Sequence, residues 1–142
     1  MLRACFDLLK PGGRLAFTTI YIAAGVSERD YRRAARARGP GIAERRAMTE
    51  LLETAGFLDI TESDVTGAFG RTTRAYLETS ERYGDELSAH WGSARFAESQ
   101  RNRRATLALI RDGIVRRGLF TARRPSPQSP PGGTRGRSRR AP

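Results

Sequence analysis

Cysteine and histidine are nearly absent from this chain of 142 residues, which has one of each, Cys5 and His90. A single thiol cannot form an internal disulfide, which excludes the cysteine-rich scaffold of small secreted proteins. The two residues also lie far apart in the sequence, so no set of metal ligands is visible. No serine-centred GxSxG motif occurs. The sequence therefore indicates no metal site, and it identifies no catalytic residue.

Long hydrophobic runs are lacking as well. The longest nearly apolar run, residues 15–26, spans 12 residues and includes two threonines. A helix that crosses a bilayer needs about 20 such residues. No N-terminal stretch combines a basic start, an apolar run and a small-residue cleavage site. We therefore expect no membrane contact and a cytoplasmic location. Apolar residues still make up 38% of the chain, which is enough for the core of one domain.

Lysine is the third scarce residue, since Lys10 is the one lysine among 26 basic residues. The net charge of +11 is thus carried by arginine, which is concentrated in residues 29–46 and in the tail. The tail, residues 125–142, is rich in proline, glycine and arginine and has no apolar residue before Ala141. We expect this tail to be disordered and to make nonspecific contacts with polyanions. No aromatic residue interleaves its arginines, so the stacking platform of single-strand binders is missing there.

A helix, a turn and a strand are predicted at the start of the chain. Apolar residues at i, i+3, i+4 and i+7 predict the helix: Leu2, Cys5, Phe6 and Leu9. The Pro-Gly-Gly sequence at 11–13 ends it, because proline cannot continue the helix and glycine tolerates positive φ. Residues 14–22, RLAFTTIYI, are β-branched and aromatic with little alternation. This pattern is typical of a strand that is covered on both faces.

A similar order follows between residues 27 and 65. Ser27 is placed to cap a short helix over 31–38, which the Gly-Pro-Gly sequence at 39–41 would close. Apolar residues at helical spacing predict a further helix: Met48, Leu51, Leu52 and Ala55. Gly56 is suited to a left-handed cap after that helix. Residues 57–65 alternate in polarity, which predicts a strand at the edge of a sheet.

The rest of the chain up to the tail is predicted to be largely helical. Helical spacing of apolar residues predicts one helix over 72–89 and another over 96–112, which Gly113 interrupts. Residues 118–122, GLFTA, predict a last short strand. We find no internal repeat.

Three short segments carry a resemblance to a known family. They are LKPGGRL at 9–15, LLETAGF at 51–57 and RGLFTAR at 117–123. In this order and spacing they resemble the C-terminal half of a class I S-adenosylmethionine-dependent methyltransferase. The segments are similar to the turn into its fifth strand, the passage from its last helix into its sixth strand, and its closing strand. The resemblance covers most of residues 1–124, which we take as the methyltransferase-like portion.

The resemblance implies an α/β fold with a partial Rossmann-like sheet of about three strands and flanking helices. The last strand would lie antiparallel in the middle of that sheet. The implied reaction moves a methyl group from S-adenosylmethionine to a nucleophilic N, O, C or S atom. The protein's contribution to such a reaction is mainly proximity and alignment.

The features that hold the cofactor in that family have no counterpart in this sequence. The family uses a glycine-rich loop after its first strand and an acidic residue at the end of its second strand. No GxGxG occurs here, and the glycine pairs at 12–13 and 132–133 do not follow a strand and open a helix. We therefore assign no cofactor-binding residue, and we expect the isolated chain not to bind S-adenosylmethionine.

Candidate substrate contacts follow from position alone. Ligands of open α/β sheets bind outside the carboxyl ends of the parallel strands, which places Thr19 and Tyr21 near a pocket. Helices after residue 65 would cover that pocket, with Arg74, Tyr76 and Tyr83 as possible contacts. Core packing or plain surface exposure is the alternative for each of these residues. Three carboxylates of the 57–65 strand are possible acids or bases, or simply exposed positions: Asp59, Glu62 and Asp64.

An isolated half-sheet would leave one edge of the 14–22 strand without a partner. Such an edge favours self-association or pairing with another chain, and a separate N-terminal methyltransferase half is one such partner. Three functions remain open at this stage. The chain is the C-terminal portion of a methyltransferase and inactive alone, a non-catalytic module that completes another polypeptide's sheet, or a small basic nucleic-acid-binding protein. We prefer the first.

Overall fold

The computed structural model describes residues 1–38 and 46–126. Nine elements lie in these ranges: α1 (Leu2–Leu8), β1 (Arg14–Ile22), α2 (Glu28–Arg38), α3 (Met48–Thr54), β2 (Leu58–Asp64), α4 (Thr66–Arg82), α5 (Gly84–Trp91), α6 (Ser93–Arg111) and β3 (Val115–Arg123). Among the described helices, none has the length and apolar character needed to span a bilayer. Residues 39–41 and 127–142 lie outside the described residues, and so do the closing turn and most of the tail predicted for them.

The three strands form one sheet in the order β1-β3-β2, in which β3 is antiparallel to both neighbours. Leu15 pairs with Ala122 in the first ladder, and Glu62 pairs with Phe120 in the second. Because both outer strands oppose β3, they run parallel to each other and end at the same edge of the sheet. The prediction of an antiparallel last strand in the middle is confirmed, as is the edge position of β2.

The outer edge of β1 is not paired with any strand in the described part of the chain. At the two ends of its ladder with β3, Arg124 N donates to Gly13 O (2.8 Å) and Ala23 N donates to Ile114 O (2.9 Å). Hydrogen-bonded and non-bonded pairs alternate in antiparallel ladders. The odd-numbered residues of β1 therefore bond to β3, and the even-numbered residues direct their N–H and C=O groups outward.

One face of the sheet, the α1/α3 face, carries the larger core. Its buried members are Leu52, Ala55, Phe57, Phe120 and Ala122, with Phe6, Leu9, Leu15 and Phe17 among the half-buried residues packed against them. The rings of Phe6 and Phe57 meet edge to face at 5.2 Å. The predicted cap between α3 and β2 is confirmed, since Gly56 has φ +94° and Phe57 is only 2% exposed. These contacts fix α1 and α3 on the sheet.

The opposite face, the α2/α6 face, is covered only in part. Ala34 of α2 and Leu109 of α6 are buried there with Ile114 and Val115, against half-buried residues at the end of β1. Earlier in β1, Ala16 and Thr18 are exposed, and no residue of the strand is fully buried. The prediction that this strand is covered on both faces is therefore wrong for this chain. The physical reason is that α2 and α6 reach only the last third of the strand.

The helical region differs from its prediction at one point. The single helix predicted over 72–89 is wrong, because α4 begins at Thr66 and ends at Arg82, and α5 begins at Gly84. Tyr83 lies between them with φ −103° and ψ 29°, outside the helical region. Apolar spacing alone does not reveal such a break. The last strand is also longer than predicted, because residues 115–123 all pair with β1.

Candidate functional site at the carboxyl edge of the sheet

The carboxyl ends of β1 and β2 share one edge, which we call the carboxyl edge. On its α1/α3 side, the hydroxyl of Tyr21 donates a hydrogen bond to Glu62 Oε1 at 2.6 Å. The tyrosine ring reaches across β3 to do so, passing Gly118. A Cβ atom at position 118 would lie 2.6 Å from Phe120 Cε2 and 3.2 Å from Tyr21 Cε1. Glycine is thus required there for the two aromatic rings to occupy their positions.

The ionisation of Tyr21 follows from this arrangement. Burial raises its pKa from 10.0 to about 12, and the hydrogen bond and negative charge of Glu62 act in the same direction. Asp64 adds to the effect, whereas Arg116 opposes it. The hydroxyl is therefore protonated at neutral pH. It serves as a hydrogen-bond donor and is not a base.

Asp64 links the end of β2 to the start of α4 and to β3. Its Oδ1 accepts a hydrogen bond from Thr66 N at 2.8 Å, and its Oδ2 lies 3.5 Å from Arg116 Nη1. Hydrogen bonds from Thr66 hold the pKa of this carboxyl below its usual value, and Arg116 acts in the same direction. The Thr66 hydroxyl also accepts a hydrogen bond from Arg117 N at 2.9 Å. Asp64 is therefore engaged in joining three elements.

The α2/α6 side of the same edge carries a second polar contact. Arg117 Nη2 donates to Thr18 Oγ1 at 2.8 Å, and its guanidinium lies 5.2 Å from the centre of the Phe69 ring. This side chain therefore joins β1, β3 and α4. Asp59, the other candidate carboxylate, lies in the β-bulge of β2 with φ +53° and accepts a hydrogen bond from Arg123 Nε at 2.6 Å. It is remote from the carboxyl edge.

The five predicted substrate contacts fall in two separate regions. Thr19 is half-buried in β1 and pairs with Gly118, and Tyr21 lies at the carboxyl edge with Glu62. Arg74 is exposed on α4. Tyr76 is 62% exposed and lines a cavity of about 280 Å³ between α4 and α6, whose lining includes none of the other four. Tyr83 is 46% exposed between α4 and α5. Their role in substrate binding stays a prediction.

Sequence reasoning missed the partner of the Tyr21 hydroxyl and the arginines of β3. Glu62 is predicted only as a possible acid or base, and its contact with Tyr21, which lies 41 residues away in the sequence, depends on how the strands pair. Arg116 and Arg117 precede the segment predicted as the last strand, although alternation along β3 would have placed them on opposite faces. The register of the two ladders was the missing information.

The described residues do not fit a complete site for S-adenosylmethionine. One glycine with positive φ, Gly25 (φ +76°), lies in the loop from β1 to α2 with open space around it. It stands alone, without the further glycines that let a backbone approach a cofactor closely. On the α1/α3 side of the carboxyl edge, Glu62 and Asp64 already have partners within the sheet. Within the same ranges, no group of three or more His, Cys, Asp or Glu side chains is placed to hold a metal ion.

Comparison with known proteins yields structural matches only. No family model matches the chain, and no curated protein does so. Among solved structures, a phosphoethanolamine N-methyltransferase from Haemonchus contortus, in complex with phosphomonomethylethanolamine and S-adenosylhomocysteine, matches with a TM-score of 0.76 and 19% identity. The match covers 88% of this chain and 29% of that enzyme.

Two further solved structures also match in fold at low sequence identity. A putative sarcosine dimethylglycine methyltransferase from Galdieria sulphuraria matches with a TM-score of 0.76 and 14% identity, over 87% of this chain and 46% of that one. A cyclopropane synthase from Mycobacterium tuberculosis matches with a TM-score of 0.69 and 16% identity, over 87% and 48%. The chain thus spans less than half the length of each of the three. The resemblance to the C-terminal half of a class I methyltransferase is confirmed as a likeness of fold.

Proposed function

We propose that this chain is the substrate-side portion of an S-adenosylmethionine-dependent methyltransferase, and that a cofactor-binding half completes its sheet along β1. The observation that carries the proposal is the strand order β1-β3-β2, in which no strand of residues 1–38 and 46–126 pairs with the outer edge of β1. The fold likeness to two methyltransferases and a cyclopropane synthase, each more than twice as long as the matched region, agrees with it.

The two edges of the sheet are built differently. The β2 edge carries three carboxylates and a β-bulge, which are devices that natural sheets use to block pairing with other strands. The β1 edge has neither: its register with β3 is continuous from Arg14 to Ile22, and no charged residue follows Arg14 in the strand. The contrast favours β2 as a permanent edge and β1 as a strand that pairs on both sides.

The geometry of the β1 edge suits a strand and a helix from the missing half. Ala16, Thr18 and Ile20 present backbone donors and acceptors outward, along a strand of nine residues. Ala16 and Thr18 are also exposed on the α2/α6 face, which no described helix covers at that level. A second polypeptide segment that supplied one strand and one helix would satisfy both needs. Paired and covered in this way, β1 would have the environment that its apolar sequence predicts.

The two halves of the completed protein would have different roles. Residues of this chain provide the carboxyl edge next to the methyl acceptor, and the completing half provides the cofactor contacts. The isolated chain is therefore inactive and does not bind S-adenosylmethionine. The acceptors named for the matched proteins differ, from a phosphorylated ethanolamine to sarcosine, so fold likeness alone does not choose among them.

Calorimetric titration tests this division directly. We expect the pure 142-residue chain to show no saturable heat with S-adenosylmethionine. We expect the missing half, with a strand, a glycine-rich loop and a helix, to be encoded either in frame upstream of the Met1 codon or by a neighbouring gene. When that half is expressed in frame or co-purified with this chain, we expect saturable binding.

Three experimental results would contradict parts of the proposed function. Saturable binding by the 142-residue chain alone would overturn the division of labour. A completed protein that forms a stable sheet but does not bind the cofactor would overturn the methyltransferase role and favour a non-catalytic module. Sedimentation of the isolated chain as a dimer that the N-terminal half cannot dissociate would show that a second copy occupies the β1 edge.

A further inference from the structure

The three arginines of β3 differ in their acidic partners. Arg116 Nη1 lies 3.5 Å from Asp64 Oδ2, and Arg123 Nε lies 2.6 Å from Asp59 Oδ2. Arg117 has no acidic group within 4.0 Å in the ranges 1–38 and 46–126. Of the three charges, the charge of Arg117 is therefore the one that the described part of the chain does not neutralise.

The Arg117 side chain is nevertheless fixed on the α2/α6 face. Its Nη2 donates to Thr18 Oγ1 at 2.8 Å, and its guanidinium lies 5.2 Å from the centre of the Phe69 ring, an attractive contact between a cation and an aromatic ring. Arginine has five N–H donors, and Thr18 accepts from one of them. The remaining side-chain donors have no acceptor in the described part of the chain. A planar fork of donors is thus available to an anionic group in a fixed position.

The guanidinium of Arg117 points away from the carboxyl edge. Arg117 pairs with Ile20 in the ladder, but its side chain contacts Thr18, which precedes Ile20 in β1 and is farther from that edge. Ligands of open α/β sheets bind outside the carboxyl ends of the parallel strands. The free donors therefore lie over the exposed part of β1, beside Thr18, and not where a ligand of the carboxyl edge would sit.

This surface is the one that the completing half is proposed to cover. Ala16 and Thr18 are exposed there, and a helix laid over them would take the Arg117 guanidinium out of water. Burial of a charge without an opposite partner is strongly unfavourable, and the neighbouring side chains of Thr18 and Leu119 carry no charge. We infer that the covering helix carries an aspartate or glutamate that forms an ion pair with Arg117. This inference rests on the proposed function and adds the chemistry of the contact.

The test compares urea unfolding of the isolated 142-residue chain and of the completed protein, expressed in frame or co-purified. In the completed protein, Arg117→Met should raise the unfolding equilibrium constant at least about a hundredfold, because it leaves a buried carboxylate unpaired. The matched control Arg116→Met removes the same charge from the opposite face and should change that constant less than about tenfold, as exposed ion pairs contribute little. In the isolated chain both substitutions should stay below about tenfold. Arg117→Lys keeps the charge without the fork and should have an intermediate effect.

The outcomes separate this inference from the proposed function. Equal effects of Arg117→Met and Arg116→Met, in a completed protein that binds S-adenosylmethionine, would overturn the ion pair and leave the proposed function intact. A gain of stability from Arg117→Met would also overturn it, because the charge would then be buried without a partner. A loss confined to Arg117→Met, in a completed protein that does not bind S-adenosylmethionine, would support the ion pair and overturn the methyltransferase role.

Discussion

A pair of proline substitutions tests whether the outer edge of β1 is free. Ala16 lies on β1 with its backbone N–H directed away from β3, whereas Ala122 lies on the central strand and pairs with Leu15. Both are alanines in the same ladder, so Ala16→Pro and Ala122→Pro make the same chemical change. They differ in whether the backbone N–H that proline removes donates a hydrogen bond to a neighbouring strand.

The expected effects on the free energy of unfolding are far apart. At position 16 no hydrogen bond of the described sheet is lost, so the cost is that of fitting proline's fixed φ into a strand, which both variants share. At position 122 the loss of the donor leaves the Leu15 carbonyl unsatisfied, which costs about 1–3 kcal/mol. Ala122 is also only 3% exposed, and the added ring atoms cost about another 1–3 kcal/mol. The two variants should therefore differ by at least about 2 kcal/mol.

Urea unfolding followed by far-ultraviolet circular dichroism measures this difference, at protein concentrations where sedimentation shows a monomer. Hydrogen exchange supplies a second readout on the unmodified chain. The amides of Ala16, Thr18 and Ile20 should exchange much faster than those of Phe17 and Thr19. Equal destabilisation by the two prolines, or uniform protection along β1, would refute the reasoning. Either result would mean that the outer edge is already paired.

Two further predictions concern the carboxyl edge. The pKa of Tyr21 is raised in the folded state from 10.0 to about 12, so its hydroxyl stabilises the fold fully below pH 10.0 and this part is lost as the pH rises to about 12. Unfolding measured across that window should show this loss in the unmodified chain and not in Tyr21→Phe, and an unchanged profile would argue against the hydrogen bond to Glu62. Gly118→Ala should destabilise the chain by about 1–3 kcal/mol in thermal unfolding, because its Cβ overlaps the Phe120 ring. The control Gly67→Ala, in the first turn of α4 with no contact closer than 3.6 Å, should be neutral or stabilising.

Local signals account for the parts of the fold that were predicted well. The helix, turn and strand over residues 2–22 have the predicted limits to within one residue, because a proline and two glycines mark the boundary. Ser27 was predicted as a helix cap, and its Oγ accepts a hydrogen bond from Asp30 N at 3.1 Å. In each case the information lies within a few residues along the chain.

The errors and omissions depend on contacts that are distant in sequence. The apolar character of β1 predicts burial on both faces, but this chain supplies cover for only part of the strand. That discrepancy is informative, since a sequence suited to a buried strand remains half-exposed here. The contact between Tyr21 and Glu62 depends on strand order, and the burial of Ala34 against Ile114 and Val115 depends on how α2 packs on the sheet. Neither is encoded by local periodicity.

Strand direction distinguishes the two ways in which β1 could be completed. Two copies of this chain related by a two-fold axis would pair β1 with β1 in antiparallel orientation. Their carboxyl edges would then face opposite ways. A doubly wound sheet instead places a parallel strand beside β1, so that the carboxyl ends of both strands meet at one edge. Only the parallel arrangement brings a cofactor held by the second half next to Tyr21 and the other residues of the carboxyl edge. The proposed function therefore requires a parallel neighbour for β1, and an antiparallel β1 pair that the completing half cannot dissociate would be incompatible with it.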